Sequence, residues 1–234
     1  MATFNIYVPS YHRWETTNVY KNLEYCTYVV RKSEERFYKA LGVNVLAVDD
    51  DLINSFAKVQ NYIIEHAPED VVCVLDDDIE NFYYRLEKNE RISNPVTVTM
   101  ELERLGQLCY DLDIGLLGCP IRNIPWGYTA EFHFSGMIGP IRFYNRKKIT
   151  KSRYIQMSFF GDTDFVLQEL LNNRIILRPD YLVTDAQLET NKGGMNQRRN
   201  KAIQLQNYDK LKEKWGKYLN FNPKKNVTMI LVER

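Results

Sequence analysis

Short apolar runs alternate with helical patterns through the first half of the chain, and this alternation constrains the fold most. The runs are rich in β-branched and aromatic residues, as is typical of strands. They are "FNIYVPS" (4–10), "CTYVVRK" (26–32), "VNVLAVD" (43–49), "VVCVLDD" (71–77) and "IGLLGCPI" (114–121). Most are apolar throughout rather than at every second position, which indicates strands buried on both faces. We therefore predict an α/β protein with a mixed, mainly parallel sheet flanked by helices.

Helical patterns separate these runs. The segment "SEERFYKAL" has Ser33 as a candidate N-cap and Gly42 just past its end. Apolar residues recur at helical spacing in "LINSFAKVQNYIIEHA" (52–67) and in "TVTMELERLGQLCYDLD" (97–113). From the second predicted strand onward, strands thus alternate with helices, as in βαβ units.

The chain changes character after Pro120, where it becomes rich in aromatic residues and glycine. We expect loops and antiparallel strands there, then a helix entered from "FFGDTDF" and an extended segment at 175–185. A basic amphipathic helix (196–218) and a last strand (226–234) follow. We interpret the whole chain, 1–234, as a single domain made of parts 1–121, 122–195 and 196–234.

Composition is that of an ordinary folded protein, with 44% hydrophobic and 26% charged residues. The net charge of +1 does not indicate a nucleic-acid or membrane partner, although a local basic face remains compatible with it. Four cysteines lack Cys-x-x-Cys spacing, so we expect reduced core residues; they are Cys26, Cys73, Cys109 and Cys119. We see neither a secretory signal nor a membrane span and expect a cytoplasmic protein.

An acidic triplet follows the fourth predicted strand: Asp76, Asp77 and Asp78. Ligands of open α/β sheets bind at the carboxyl ends of strands. Strand alternation would point Asp76 and Asp78 the same way and Asp77 the other. Two such carboxylates repel each other unless a positive charge lies between them, which favours a hard divalent cation, Mg²⁺ or Mn²⁺. The alternative is a solvated turn that caps a helix.

Four segments in order give the chain a family resemblance: "NIYVPSYHRW", "YVVRKS", "VLDDD" and "FFGDTDF". Over roughly residues 3–190 it resembles the GT-A-fold nucleotide-sugar glycosyltransferases. The style of "YVPSYHRW…VVRKSEE" is more specifically similar to the TET-associated glycosyltransferases of bacteriophages, which glycosylate hydroxymethylated pyrimidines in DNA. The resemblance implies a UDP-type donor bound mainly by residues 1–121, a Mn²⁺ or Mg²⁺ cofactor, and an acceptor and catalytic part at 122–195.

The resemblance also implies roles for the acidic residues. Asp78 would bind the cation, while Asp76 would bind the cation and the sugar or ribose, with Asp77 also on the nucleotide-sugar side. GT-A proteins often supply a late histidine to the metal; Asp185 stands near that position here and is either a third metal ligand or a turn residue.

"GDTDF" (161–165) resembles the Gly-Glu-Asp-x-Asp segment of inverting GT-A enzymes, but its glutamate is missing. Asp162 occupies the position of the base that deprotonates the acceptor hydroxyl, and Asp164 is next. The alternative is that Asp162 only caps the helix that follows. Whether the sugar configuration is inverted or retained is left open.

Further binding residues follow from position. Pro9, Ser10 and Tyr11 would receive the nucleobase and ribose, and Arg31 ends the next strand. Lys192, in "NKGG" (191–194), would add positive charge near the diphosphate. Each of these is also compatible with ordinary loop chemistry.

We expect the acceptor to bind among aromatic residues of the second half, with Trp126, Tyr128 and His133 as candidates. Aromatic side chains stack on sugars and nucleobases alike, and His133 also fits a core position. The lysines and arginines of the tail either track a phosphate backbone or form a solvated helix face.

The favoured hypothesis is sugar transfer to a hydroxymethylated pyrimidine in DNA. A saccharide or protein acceptor is the close rival, and a metal-dependent nucleotidyltransferase would share the acidic site. A non-enzymatic nucleotide-binding module is less favoured, because catalytic-type carboxylates occur in two segments.

Overall fold

A computed structural model describes residues 1–120, 128–186, 201–222 and 227–232. Its strands are β1 (Phe4–Pro9), β2 (Thr27–Arg31), β3 (Asn44–Val48), β4 (Val71–Leu75), β5 (Ile79–Arg85), β6 (Asn89–Ile92), β7 (Leu116–Gly118), β8 (Phe132–His133), β9 (Ile141–Asn145), β10 (Arg178–Pro179), β11 (Leu182–Ala186), β12 (Leu219–Asn222) and β13 (Val227–Ile230). Its α-helices are α1 (Glu35–Lys39), α2 (Phe56–His66), α3 (Pro95–Asp111), α4 (Gly161–Asn172) and α5 (Lys201–Trp215).

The main sheet has six strands in the order β3-β2-β1-β4-β9-β7. The first four are parallel, and β9 runs antiparallel to both of its neighbours. The predicted α/β class with a mainly parallel sheet is confirmed. The sheet gathers the carboxyl ends of β1, β2, β3 and β4 at a single edge.

Two hydrophobic clusters cover the two faces of this sheet. Val71, Cys73 and Leu75 of β4 belong to one cluster, which includes residues of α3, and Val72 and Val74 belong to the other, which includes residues of α2 and α4. Every side chain of β4 is therefore buried, which explains a strand that is apolar at each position.

Helix α3 lies very close to β1 at Gly106. A Cβ atom at this glycine would come within 2.5 Å of Cε2 of Phe4. Only a residue without a side chain fits at this point without a shift of the Phe4 ring.

A three-stranded antiparallel sheet, ordered β11-β5-β6, begins directly after the acidic triplet. The sequence analysis did not predict this hairpin. Two further antiparallel pairs, β8 with β10 and β12 with β13, agree with the expected change of character in the second half.

Two predicted helix starts differ from the observed ones. Ser33 lies in a 3-10 helix (Lys32–Glu34), where its Oγ donates to Oδ2 of Asp50 at 2.6 Å, and α1 begins only at Glu35. Helix α2 begins at Phe56 because Ser55 is its N-cap and accepts from the backbone N–H of Lys58 at 3.3 Å. Ser33 thus donates its hydroxyl to the Asp50 carboxylate instead of capping a helix.

All four cysteines are buried and unpaired, as predicted. Within the described ranges, no helix combines the length and apolarity that crossing a bilayer requires.

Candidate active site

The ends of β1 and β4 meet at the carboxyl edge of the main sheet. Ser10 directly follows β1, and its Oγ donates to Oδ2 of Asp77 in the acidic triplet. Tyr38 of α1 donates its hydroxyl to Oγ of Ser10 at 2.7 Å. The fold thus brings together two segments that the sequence assigned to one nucleotide-sugar site.

A buried arginine, Arg13, holds two of the three aspartates. Its Nη1 lies 2.7 Å from Oδ1 of Asp77 and 3.1 Å from Oδ2 of Asp78. Its backbone N–H donates to the hydroxyl of Tyr38 at 3.2 Å, which fixes the loop after β1. Arg13 was not among the predicted site residues; its position between two aromatic residues in "YHRW" was the available signal.

The triplet is only partly arranged as strand alternation predicts. Strand β4 ends at Leu75, and Asp77 and Asp78 form a turn. The side chain of Asp77 is 11% exposed and held from inside, while Asp76 and Asp78 are 38% and 18% exposed. Asp76 and Asp78 are therefore the more accessible pair, and the turn also lets Arg13 contact the neighbours Asp77 and Asp78 together.

Arg142 of β9 connects the triplet with the "GDTDF" segment. Its Nη2 donates to Oδ1 of Asp76, and its Nη1 lies 3.6 Å from Oδ1 of Asp162. Nη1 also donates to the carbonyl of Gly139 at 3.1 Å. The side chain of Arg142 is 2% exposed, whereas those of Asp76 and Asp162 are 38% and 36% exposed, so a buried cation holds two partly exposed carboxylates. Sequence reasoning did not single out Arg142.

Two aspartates of this cluster are harder to ionise than an ordinary aspartate, although each has an arginine partner. Burial raises the pKa of Asp76 to about 7; Arg142 opposes the rise, and the carboxylates of Asp78 and Asp162 add to it. Burial likewise raises the pKa of Asp77 to about 6, against the effect of Arg13. The cluster also holds four carboxylates, those of Asp76, Asp77, Asp78 and Asp162, beside two guanidinium groups, which is a formal surplus of negative charge.

A divalent cation fits this surplus of oxygen ligands and charge. Oδ1 of Asp162 is buried and accepts no hydrogen bond from the described part of the chain. No three His, Cys, Asp or Glu side chains within the described ranges form a ready-made metal site. Mg²⁺ is, however, usually held through one or two carboxylates together with substrate phosphates. Asp76 and Asp78 would supply the carboxylates of such a site.

Asp185 is held elsewhere and is not part of such a three-residue group. It lies opposite Asn81 in the pairing of β11 with β5. Its carboxylate accepts from the backbone N–H and Nδ2 of Asn81 at 2.6 and 3.0 Å, and from the hydroxyl of Tyr83 at 2.7 Å. In this structure Asp185 joins two strands of the smaller sheet.

The two aspartates at the start of α4 differ sharply. Phe160 is the N-cap of α4, at φ +66°, so Asp162 does not cap the helix. Asp164 is fully buried. It accepts from Nζ of Lys214 and Nε1 of Trp215 at 2.7 Å each and from Gln168 at 2.6 Å. Asp164 therefore anchors α5 to α4, while Asp162 faces Arg142.

Aromatic side chains surround the loop after β1. The guanidinium of Arg31 lies 3.8 Å from the ring centroid of Tyr11, and the His12 ring lies 4.0 Å from that of Tyr11. Trp14 stacks on Phe37 at 4.4 Å. Predicted nucleotide contacts at Tyr11 and Arg31 thus lie together, next to Pro9 at the end of β1.

Predicted acceptor residues have other partners in the structure. Nδ1 of His133 lies 3.1 Å from Oδ2 of Asp180, and Nε2 lies 3.2 Å from Oγ1 of Thr129. The ring of Tyr128 lies 5.9 Å from the guanidinium of Arg85. Trp126, like Lys192, lies outside the described residues.

The segment between β8 and β9 does contact the acidic cluster, although it was not predicted to. The backbone N–H of Asp76 donates to the carbonyl of Pro140 at 3.0 Å. Oγ1 of Thr163 donates to Sδ of Met137 at 3.7 Å. Phe134, at the start of this segment, is 53% exposed. This segment therefore packs against the acidic turn and the start of α4.

No family model and no curated protein matches the chain. Solved structures do. Glucosyl-3-phosphoglycerate synthase from Mycobacterium tuberculosis, in complex with Mn²⁺ and UDP-glucose, matches with a TM-score of 0.56 and 11% identity over 98% of this chain and 86% of that chain. The same enzyme with Mn²⁺, UDP and glucosyl-3-phosphoglycerate matches with a TM-score of 0.55 and 12% identity, covering 100% and 90% of the two chains.

TarS (1–349) from S. aureus matches with a TM-score of 0.51 and 14% identity over 77% of this chain; the match spans 59% of that chain. At these identities the likeness concerns the fold. The mixed, mainly parallel sheet with its flanking helices is the GT-A fold of these glycosyltransferase structures.

Proposed function

We propose that the protein is a metal-dependent glycosyltransferase that moves a hexose or pentose from a UDP-type nucleotide sugar to a hydroxyl group. One observation carries the proposal. Asp76, just after the carboxyl end of β4, is joined through buried Arg142 to Asp162 at the start of α4, and Asp78 lies two residues further along the same acidic turn. Carboxylates for a cation and a carboxylate for proton transfer thus lie within one network. The M. tuberculosis enzyme of the same fold is described with Mn²⁺ and UDP-glucose.

Donor binding is assigned to the edge formed by β1, β2 and β4. Asp76 and Asp78 would hold Mn²⁺ or Mg²⁺, which neutralises the charge that develops on a leaving diphosphate. Tyr11 and Arg31 offer a stacking surface and a positive charge for the nucleobase and ribose. Asp77 and Ser10 hold the loop in place, because their side chains are already bonded to each other and to neighbours.

Asp162 is the proposed base for the acceptor hydroxyl. Its side chain is 36% exposed, although Oδ1 is buried and faces Arg142. The exposed part of the carboxylate can therefore accept a proton when an acceptor approaches. Asp164 does not suit this role, since three donors occupy its buried carboxylate. An inverting outcome follows if Asp162 acts directly on the acceptor.

For the acceptor, we propose a hydroxymethylated pyrimidine in DNA. The resemblance of "YVPSYHRW…VVRKSEE" supports it, as do the exposed Phe134 and the aromatic residues around Tyr11, since bases stack on such rings. One observation favours the rival saccharide acceptor. In the tail, Lys214 binds Asp164 and Lys212 donates to the carbonyl of Leu219, so these two lysines do not track a phosphate backbone.

The test combines the protein, Mn²⁺, a panel of nucleotide sugars, and either DNA containing hydroxymethylcytosine or oligosaccharides. UDP release that depends on the modified DNA is the expected result, with unmodified DNA of the same sequence as the control. Release with oligosaccharide alone would replace the DNA acceptor by a saccharide. Pyrophosphate release from a sugar phosphate and a nucleoside triphosphate, without UDP release, would overturn glycosyl transfer in favour of nucleotidyl transfer.

A further inference from the structure

Arg142 is a fully buried cation that lies between two carboxylates of different proposed roles. Strand β9 places it opposite Val74, the penultimate residue of β4. From there its guanidinium reaches Asp76 on one side and Asp162 on the other, and it lies 5.5 Å from the ring centroid of Phe56. No other described lysine or arginine forms an ion pair with both of these aspartates.

The environment of Arg142 restrains its geometry. Burial and the pleat of β9 leave the guanidinium little freedom, and its Nη1 also donates to the carbonyl of Gly139. A planar guanidinium presents several N–H groups in fixed directions, whereas an ammonium group is a single point donor. Arg142 can therefore set the separation and orientation of two carboxylates that would otherwise repel each other.

We propose that Arg142 is a positioning residue that fixes the base Asp162 relative to the cation-binding Asp76. This inference rests on the proposed function. Arg142 acts through the two aspartates and does not itself contact the donor or the acceptor. The positive charge of Arg142 has a second consequence. The guanidinium competes with a cation for Asp76, so Arg142 lowers the cation affinity of the site while it aligns Asp162.

Two substitutions separate alignment from charge. Arg142→Lys keeps the charge and loses the planar fork, so Mn²⁺ affinity should stay within about threefold while kcat falls by roughly 100-fold, a typical cost of misplacing a reacting group. Arg142→Gln removes the charge beside Asp76, so Mn²⁺ should bind on the order of tenfold more tightly while kcat falls at least as far. A purely structural role would lower both quantities together.

The experiment measures Mn²⁺ binding by calorimetry with the metal alone, then kcat and KM for the donor, and thermal unfolding. Arg146→Lys is the matched control, because Arg146 follows β9 at its other end and donates to backbone carbonyls of Ile64, Glu65 and Glu69. It should lose stability but keep kcat. If Arg142→Gln fails to fold, Arg142→Lys still carries the test.

Two results would overturn the inference. Wild-type kcat in Arg142→Lys would exclude a positioning role while leaving glycosyl transfer intact. Parallel loss of Mn²⁺ affinity and kcat in both variants, matching a loss of folded protein, would reduce Arg142 to a structural residue. A wild-type protein that releases no UDP from any nucleotide sugar would instead overturn the proposed function, and this inference with it.

Discussion

Aspartates lie at both ends of strand β4, but the pKa is lowered at the amino end and raised at the carboxyl end. At the amino end, Oδ2 of Asp70 accepts from the backbone N–H and Oγ1 of Thr3 at 3.1 and 3.0 Å, and Lys147 lies 2.8 Å from Oδ1. The hydrogen bond from Lys147, followed by those from Thr3, lowers the pKa of Asp70 to about 2. Asp70 is ionised and well supplied with donors.

At the carboxyl end, Asp76 and Asp77 are harder to ionise. Burial raises their pKa values to about 7 and about 6, although each has an arginine partner. Proteins keep such costly groups where binding or catalysis uses them, and ion pairs like that of Asp70 stabilise the fold. The difference teaches that burial, more than residue type or the presence of a partner, separates the candidate site from the rest of the sheet.

Asp78→Asn should break the comparison most strongly. It removes one of two carboxylates proposed to hold the cation, so sugar transfer should fall by at least about 100-fold, on the scale of losing an electrostatic contact to the transition state. Turnover assays with Mn²⁺ measure the effect, and circular dichroism checks the fold. Asp70→Asn, at the other end of the same strand, is the control and should keep its turnover. Unchanged activity in Asp78→Asn would contradict the metal site.

Asp162→Asn tests the carboxylate on the far side of Arg142. Loss of a general base should reduce kcat by roughly 100-fold or more, with a small change in the KM for the donor. Steady-state kinetics over a range of donor concentrations distinguish the two parameters. An increase in KM at constant kcat would make Asp162 a donor-binding residue instead.

Trp215→Phe tests Asp164, the second aspartate of the segment "GDTDF" (161–165), against Asp162 in the same segment. Asp164 lies two residues from Asp162 but is fully supplied with donors, so it should behave like Asp70 and affect stability alone. Losing the Nε1 hydrogen bond to its carboxylate should cost about 1.5–3 kcal/mol of unfolding free energy. Urea titration measures this loss. A large fall in kcat in a folded variant would show that α5 shapes the active site.

The smallest expected effect is on the stability of the fold at acidic pH. The pKa of Asp70 is about 2 in the folded protein and about 3.9 in an unfolded chain. Its stabilising contribution is therefore complete above about pH 4 and is lost as the pH falls towards 2. Asp70→Asn should show a shallower decline of stability between pH 4 and pH 2 than the wild type, as measured by urea unfolding at each pH. Identical slopes would mean that this ion pair is too exposed to matter.

Local sequence was enough to predict the sheet and the edge where the site lies. Val71–Leu75 is buried on both faces, so its composition alone indicated a central strand. The same run placed Asp76 and Asp78 at a carboxyl end, but strand alternation does not continue through the turn, where Arg13 contacts Asp77 and Asp78 together. Helix α4 and the position of Asp162 near its start were likewise predicted.

Partners distant in sequence could not be predicted. Arg13 and Arg142 contact the triplet only because β1 and β9 flank β4 in the sheet. The hydrogen bonds of Asp185 depend on the register of β11 against β5, which the local sequence does not specify. The hairpin β5–β6 mixes aromatic, charged and amide residues, so its period was too weak to indicate strands.

The acidic turn also joins two sheets. Strand β4 ends at Leu75 and β5 begins at Ile79, so one strand of the large sheet passes into one strand of the small sheet through the triplet alone. A turn held at both ends has little conformational entropy left to lose. Cation binding should therefore carry a small ordering penalty, and calorimetry should find it close to that of a rigid chelator rather than that of a loop that folds around its ion.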